Sequence, residues 1–205
     1  MNYRRILLGV LATLMLCTPA MASSTVYTNV GDFLAAIQGD FYLEDFSSVG
    51  FGDPGNPVNF GPVNGYEFEI TAGNGLFSGG GNMSTNTAFD PMVITTTGNP
   101  TAVGGNFWLT DFDFLTEVGQ LQVDFADGSS TSETLTNADP TTFLGVVSNN
   151  GTPITGVTLT PVDPGDGINR WATVDNLYLG AAVPEPSAFG LVAMSLLSLL
   201  AMRRR

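Results

Sequence analysis

Between residues 40 and 180 apolar side chains alternate with polar ones, and no long stretch repeats them every three to four positions. Leu121-Gln122-Val123-Asp124-Phe125 is the clearest case: every second residue is apolar, the period of a half-buried strand. Gly, Pro, Asn, Asp, Ser and Thr interrupt these runs at short intervals. That pattern leaves no room for the helices that parallel strands need, so the chain must fold as antiparallel β-structure.

Asp127-Gly128 offers a tight turn after the 121–125 run, and Thr131–Leu135 can return as its partner. Further strands are expected at Phe41–Phe46, Tyr66–Thr71, Met92–Thr95, Phe107–Phe114, Thr142–Val147, Ile154–Leu159 and Trp171–Leu179. Eight to ten short strands of this kind suit an all-β, jelly-roll-like two-sheet sandwich. Gly50–Pro62 and Gly73–Ala88 are expected as loops at its ends. The one helical signature is Asn29–Gly39: Asn29 can cap, Asp32 sits in the first turn, Phe33, Leu34 and Ile37 share a face, and Gly39 stops it.

The two ends read differently. Met1–Ala22 has the parts of a secretory signal: Arg4 and Arg5, an apolar run from Ile6 to Cys17, and small residues at Ala20 and Ala22, so that cleavage would leave Ser23 first. The run is shorter than the ~20 residues of a membrane span. Cys17 is the only cysteine, and Leu14-Met15-Leu16 before it are too large for a lipoprotein signal. The mature chain would then carry no disulfide and no thiol.

At the other end Val183-Pro184-Glu185-Pro186 precedes Ser187–Met202, which is uncharged, and then Arg203, Arg204 and Arg205. Sixteen apolar or small residues are marginal for a span but suffice with local thinning of the bilayer. The arginines should remain cytoplasmic, leaving everything before Ser187 outside. A plain membrane anchor would look similar. The order of motif, short helix and arginine cluster resembles the PEP-CTERM sorting signal of Gram-negative bacteria. The resemblance implies that Pro184, Glu185 and Pro186 are read by an exosortase-type enzyme. It also implies transient anchoring by 187–202 and a place at the cell surface or in an exopolysaccharide or biofilm matrix. The expected organisation is a signal peptide at 1–22, an ectodomain at 23–180 and a sorting tail at 181–205.

Charge narrows the ectodomain's chemistry. It holds 18 of the 19 acidic residues, all but Glu185, against Arg170 alone, a net of −17. Phosphate backbones are repelled, which excludes nucleic acid. The chain has no histidine or lysine and, once processed, no cysteine, which removes Ser-His-Asp and Cys-His catalysis, Schiff-base chemistry and histidine-ligated zinc. Asp111 and Asp113, in Thr110-Asp111-Phe112-Asp113-Phe114, are expected on one face of a strand, with Phe112 and Phe114 toward the core. They are either a glycosidase-like carboxylate pair or a solvated face.

Calcium takes six to eight oxygen ligands, which this chain supplies freely. The expected pairing is Glu44 and Asp45 near the start with Asp175 near the end; the alternative is that these are solvated acids. Gly104-Gly105-Asn106-Phe107, the turn at Asp127-Gly128 and the closing Val174-Asp175-Asn176-Leu177 resemble the sandwich domains of PEP-CTERM proteins and carbohydrate-binding jelly rolls. In such jelly rolls an Asp near the last strand helps hold a structural calcium. Phe51, Phe77, Trp108 and Trp171 are candidate sugar-stacking aromatics, and Arg170 a candidate ion-pair partner. The expected function is a non-enzymatic adhesive or carbohydrate-associated module, with a carboxylate-dependent glycan-active enzyme as the alternative.

Overall fold

The computed structural model describes residues 24–183. The signal peptide with its cleavage site at Ala22 and Ser23, and the tail from Pro184 through Arg205, lie outside the described residues. Among the described residues no helix is long and apolar enough to cross a membrane.

The chain folds as two antiparallel sheets packed face to face. The strands are β1 (Ser24–Tyr27), β2 (Tyr42–Glu44), β3 (Val58–Val63), β4 (Tyr66–Ala72), β5 (Leu76–Ser78), β6 (Met83–Thr85), β7 (Met92–Thr97), β8 (Ala102–Thr110), β9 (Gln120–Phe125), β10 (Thr131–Thr136), β11 (Phe143–Ser148), β12 (Gly156–Val162) and β13 (Trp171–Gly180). One sheet runs β1-β11-β8-β13-β6-β5, with β2 also paired to β13; the other runs β10-β9-β12-β7-β4-β3. The chain crosses repeatedly between them, a jelly-roll-like path.

The alternation seen in the sequence is the alternation of burial. Phe68 and Ile70 of β4, Met92 and Ile94 of β7, and Leu121, Val123 and Phe125 of β9 face the shared core, while Glu67, Glu69 and Gln122 point away. The hairpin pairs Thr131 with Phe125 and Thr136 with Gln120, so the connection spans 126–130 around Asp127-Gly128, longer than the tight turn expected.

β11 is buried on both faces, its outer side covered by α1 (Val30–Ala35), the one helix among the described residues. Asn29 caps it, its Oδ1 accepting from the N–H groups of Gly31 and Asp32 at 2.8 and 3.2 Å. Phe33, fully buried, lies against Phe143 at 5.3 Å between ring centroids. A Cβ on Gly145 would come within 2.7 Å of that ring, so only glycine lets the helix seat there. The helix is shorter than the expected Asn29–Gly39. Its third turn is replaced by sheet-like pairing with the chain's far end: Gln38 N–H donates to Ala181 O, and Val183 N–H to Ala36 O.

Other elements also differ from expectation. Thirteen strands form among the described residues, where eight to ten were expected. β3, β5 and β6 occupy Gly50–Pro62 and Gly73–Ala88, segments read as loops, because neighbouring strands supply ladder partners that outweigh weak local propensity. β3 tolerates Pro62 because it is an edge strand with an irregular register there. The 41–46 strand stops at Glu44 since Phe46 turns into the left-handed region at φ 53°, its N–H held by the Glu44 carboxylate at 3.0 Å. The Phe107–Phe114 strand ends at Thr110, and that early end shapes the site described next.

Candidate functional site

Phe107 and Leu109 point into the core from β8, so a strand continued further would drive Asp111 and Asp113 into the core as well. Two unpaired carboxylates cannot be buried there, and the strand breaks instead. Asp111 makes the break: its Oδ1 accepts from the N–H groups of Asp113 and Leu115, both at 2.9 Å. The chain then doubles back along β8, with Glu117 N–H on Leu109 O at 2.9 Å and a bridge between Thr110 and Thr116.

This arm carries its aromatics outward, contrary to the expectation that Phe112 and Phe114 face the core. Phe112 is 81% exposed, and Phe114 sits at φ 62°, a left-handed conformation costly for an aromatic residue. Phe112 stands 6.3 Å from Trp171, the first residue of β13, in an edge-to-face arrangement. Phe114 lies 5.6 Å from Phe77 of β5, and Phe77 lies 5.3 Å from Phe51. Phe51 is held there because Gly52 and Ser78 exchange both backbone hydrogen bonds, at 3.0 and 2.8 Å.

The two aromatic groups flank an open cleft of about 480 Å³. Between them lie Ser84, Thr85, Asn86, Asp111 and Asp113. Ser84 belongs to a buried hydroxyl ladder crossing three strands. It donates to Ala172 O at 3.2 Å and accepts from Thr173 at 3.1 Å, and Thr110 lies 3.0 Å from Thr173. Since the Ser84 proton goes to a carbonyl and the Thr173 proton to Ser84, Thr110 must donate to Thr173. Thr85 is different: it is 2% exposed and its Oγ1 has no hydrogen-bond partner, although it lines the cleft.

The cleft is acidic and has no cation of its own. Arg170, 3% exposed, turns away and clamps the base of the arm. Its Nε donates to Val118 O at 2.6 Å, Nη1 to Ile168 O at 3.1 Å, and both terminal nitrogens to the Asp166 carboxylate at 3.0 and 2.7 Å. These hydrogen bonds, with the positive charge, pull the Asp166 pKa down to about 2. A Cβ on Gly119 would meet Arg170 Nε at 2.6 Å, so the arm can lie on the guanidinium only through a glycine.

Of the four aromatic candidates, Phe51, Phe77 and Trp171 line the cleft. Trp108 does not: it is 3% exposed, and its indole Nε1 has no hydrogen-bond partner. Phe112, Phe114 and Thr85 were not anticipated as site residues. The usable signal was parity, because Phe107 and Leu109 place odd-numbered residues inward and two aspartates then follow on odd numbers.

Strand pairing does bring the calcium candidates near one another. Leu177 of β13 stands opposite Glu44, and the register of β13 against β8 shifts between Asp175 and Tyr178. Burial, then the charge of Asp45, pushes the Asp175 pKa up. Each carboxylate, however, is engaged locally. Glu44 accepts from the Tyr42 hydroxyl and Phe46 N–H, Asp45 from Ser47 N–H and Oγ, and Asp175 from Asn176 N–H and Nδ2. Among the described residues no three acidic side chains gather as a metal-ligand group.

No family model matches the chain, and no curated protein matches it. Among solved structures it is similar to two mutants of a family 29 carbohydrate-binding module. The first has 14% identity and a TM-score of 0.36, with 62% of this chain and 91% of that chain covered. The second has 13% identity and a TM-score of 0.36, covering 62% and 87%. The chain is also similar to a family 22 xylan-binding domain from Paenibacillus barcinonensis, with 15% identity, a TM-score of 0.32, and 72% and 99% covered.

Proposed function

We propose that this protein is a non-enzymatic carbohydrate-binding module, exported and sorted by its C-terminal tail to the cell surface or an exopolysaccharide matrix. The observation that carries the binding role is the cleft. Sugar rings have flat, weakly polar faces edged with hydroxyls. They are held by aromatic faces on either side and by hydroxyl, amide and carboxylate groups between. Phe112 with Trp171, and Phe51 with Phe77 and Phe114, supply the first; Ser84, Thr85, Asn86 and the two aspartates supply the second.

Asp111 and Asp113 share the cleft, which is what favours the alternative of a glycan-active enzyme. Asp111, however, has one oxygen occupied by two backbone N–H groups that shape the arm, a structural duty. We therefore assign the pair to recognition. The sorting role rests on the sequence of 183–205 and its resemblance to PEP-CTERM tails, with an exosortase-type enzyme as the processing partner.

Calorimetric titration of the purified protein against a panel of oligosaccharides tests the binding role. Trp171→Ala should weaken binding at least tenfold, about 1.4 kcal/mol, without lowering the melting midpoint by more than a few degrees. A panel with no binder, or a variant that binds unchanged, refutes the assignment. Release of new reducing ends would favour the enzyme. Mass spectrometry of the protein from its own cells tests the tail: residues 187–205 should be missing.

A further inference from the structure

Recognition of an anionic sugar is favoured by a cation, and the cleft has none to offer. The chain contains no lysine or histidine, and Arg170 is the only basic residue among the described residues. Its guanidinium is already committed to Val118 O, Ile168 O and Asp166. The N–H groups of Asp113 and Leu115 are taken by Asp111.

What the cleft does present is negative charge, aromatic faces and one orphaned hydroxyl. Asp113 is exposed, and its carboxylate receives no hydrogen bond from any described residue. Asp111 uses only Oδ1 internally, leaving Oδ2 free. A protonated amine between these carboxylates and the faces of Phe112 and Trp171 would gain both ion pairing and cation–π attraction. Thr85 is independent of that charge: a hydroxyl 98% buried and without a partner needs a group that can both donate and accept, as a sugar hydroxyl does.

We infer that the cleft selects glycans by charge, binding polyhydroxylated rings that bear a protonated amine and refusing rings that bear carboxylate, sulfate or phosphate. This rests on the carbohydrate-binding reading above. Phe112 and Trp171 hold the ring, Thr85 meets a ring hydroxyl, and Asp113 with the free oxygen of Asp111 meets the amine. The surrounding excess of acidic residues extends the selection outward over a Debye length, about 8 Å at physiological salt.

The test compares length-matched oligomers of glucosamine, N-acetylglucosamine and galacturonic acid by calorimetry at low salt. One exposed ion pair is worth up to about fivefold in affinity, so the glucosamine oligomer should bind about fivefold tighter than its N-acetyl counterpart. The galacturonate oligomer should not bind. Asp113→Asn should bring the amine preference toward unity, as should about 0.5 M salt. Glu133→Gln, which removes a charge from the outer edge strand of the opposite sheet, should leave that preference intact. Galacturonate binding, or an amine preference that survives Asp113→Asn or is lost equally in Glu133→Gln, overturns the inference. If the N-acetyl oligomer binds through Trp171 with no amine preference, charge selection fails while carbohydrate binding stands. If none of the three binds, the inference falls with the reading beneath it.

Discussion

Replacing Arg170 with methionine, which keeps the apolar stem and removes the guanidinium, separates its packing from its hydrogen bonds. The guanidinium donates to two backbone carbonyls, Val118 O at 2.6 Å and Ile168 O at 3.1 Å. Hydrogen bonds from a charged donor contribute about 1.5–3 kcal/mol each. Val118 and Ile168 are 59% and 43% exposed, so water can recover part of each loss. That lowers the figure to about 1–2 kcal/mol per carbonyl. The Asp166 side of the ion pair is open to solvent and adds little. The total is about 2–4 kcal/mol, or roughly 5–15 °C in the melting midpoint of a domain this size. Thermal melts followed by circular dichroism measure it. The same variant should weaken glycan binding, because the freed 111–118 arm must be ordered again on binding. A midpoint within about 2 °C of wild type, with binding unchanged, would refute the view that Arg170 braces the site.

Three further outcomes follow from the same geometry. Asp127 is 2% exposed; burial pushes its pKa up, but hydroxyl and N–H donors from Thr131 and Ser129 hold it well below the usual carboxylate range. Its stabilising effect is therefore complete above the unfolded pKa of about 3.9 and is lost as pH falls through the lower folded value. Asp127→Asn should lower the midpoint at pH 7 and differ progressively less from wild type in acid, as midpoints across a pH series would show. Phe33→Ala should cost about 3–5 kcal/mol in denaturant titrations and remove amide-exchange protection from α1, since so short a helix does not persist undocked. Chelator should leave the midpoint unchanged, because Glu44, Asp45 and Asp175 are occupied by local donors; a fall of several degrees would show that they hold an ion.

The alternation in 121–125 and the return strand after Asp127-Gly128 were legible because strand period and turn chemistry are local. The register was not, since Phe125 pairs with Thr131 across 126–130 and not across a two-residue turn. Asn29 was legible as a cap because capping is local too. β5 and β6 were not: Leu76–Ser78 and Met83–Thr85 are three residues each, strands only because β13 and one another are alongside. The helix length was decided at a distance too, by the chain end at 181–183 pairing beside it.

By itself, then, the sequence determined a disulfide-free, antiparallel, strongly acidic domain and ruled out histidine, lysine and thiol chemistry. Its two ends carry patterns that resemble an export signal and a sorting tail. The cleft belongs to the tertiary structure. Phe51, Phe77, Thr85, Phe112 and Trp171 come from five separate stretches of chain, and they converge only because β5, β6, β13 and the arm after β8 are neighbours in one sheet. Periodicity says which side of its own strand a residue faces. It cannot say which strand lies next to it, because that depends on how the whole core packs.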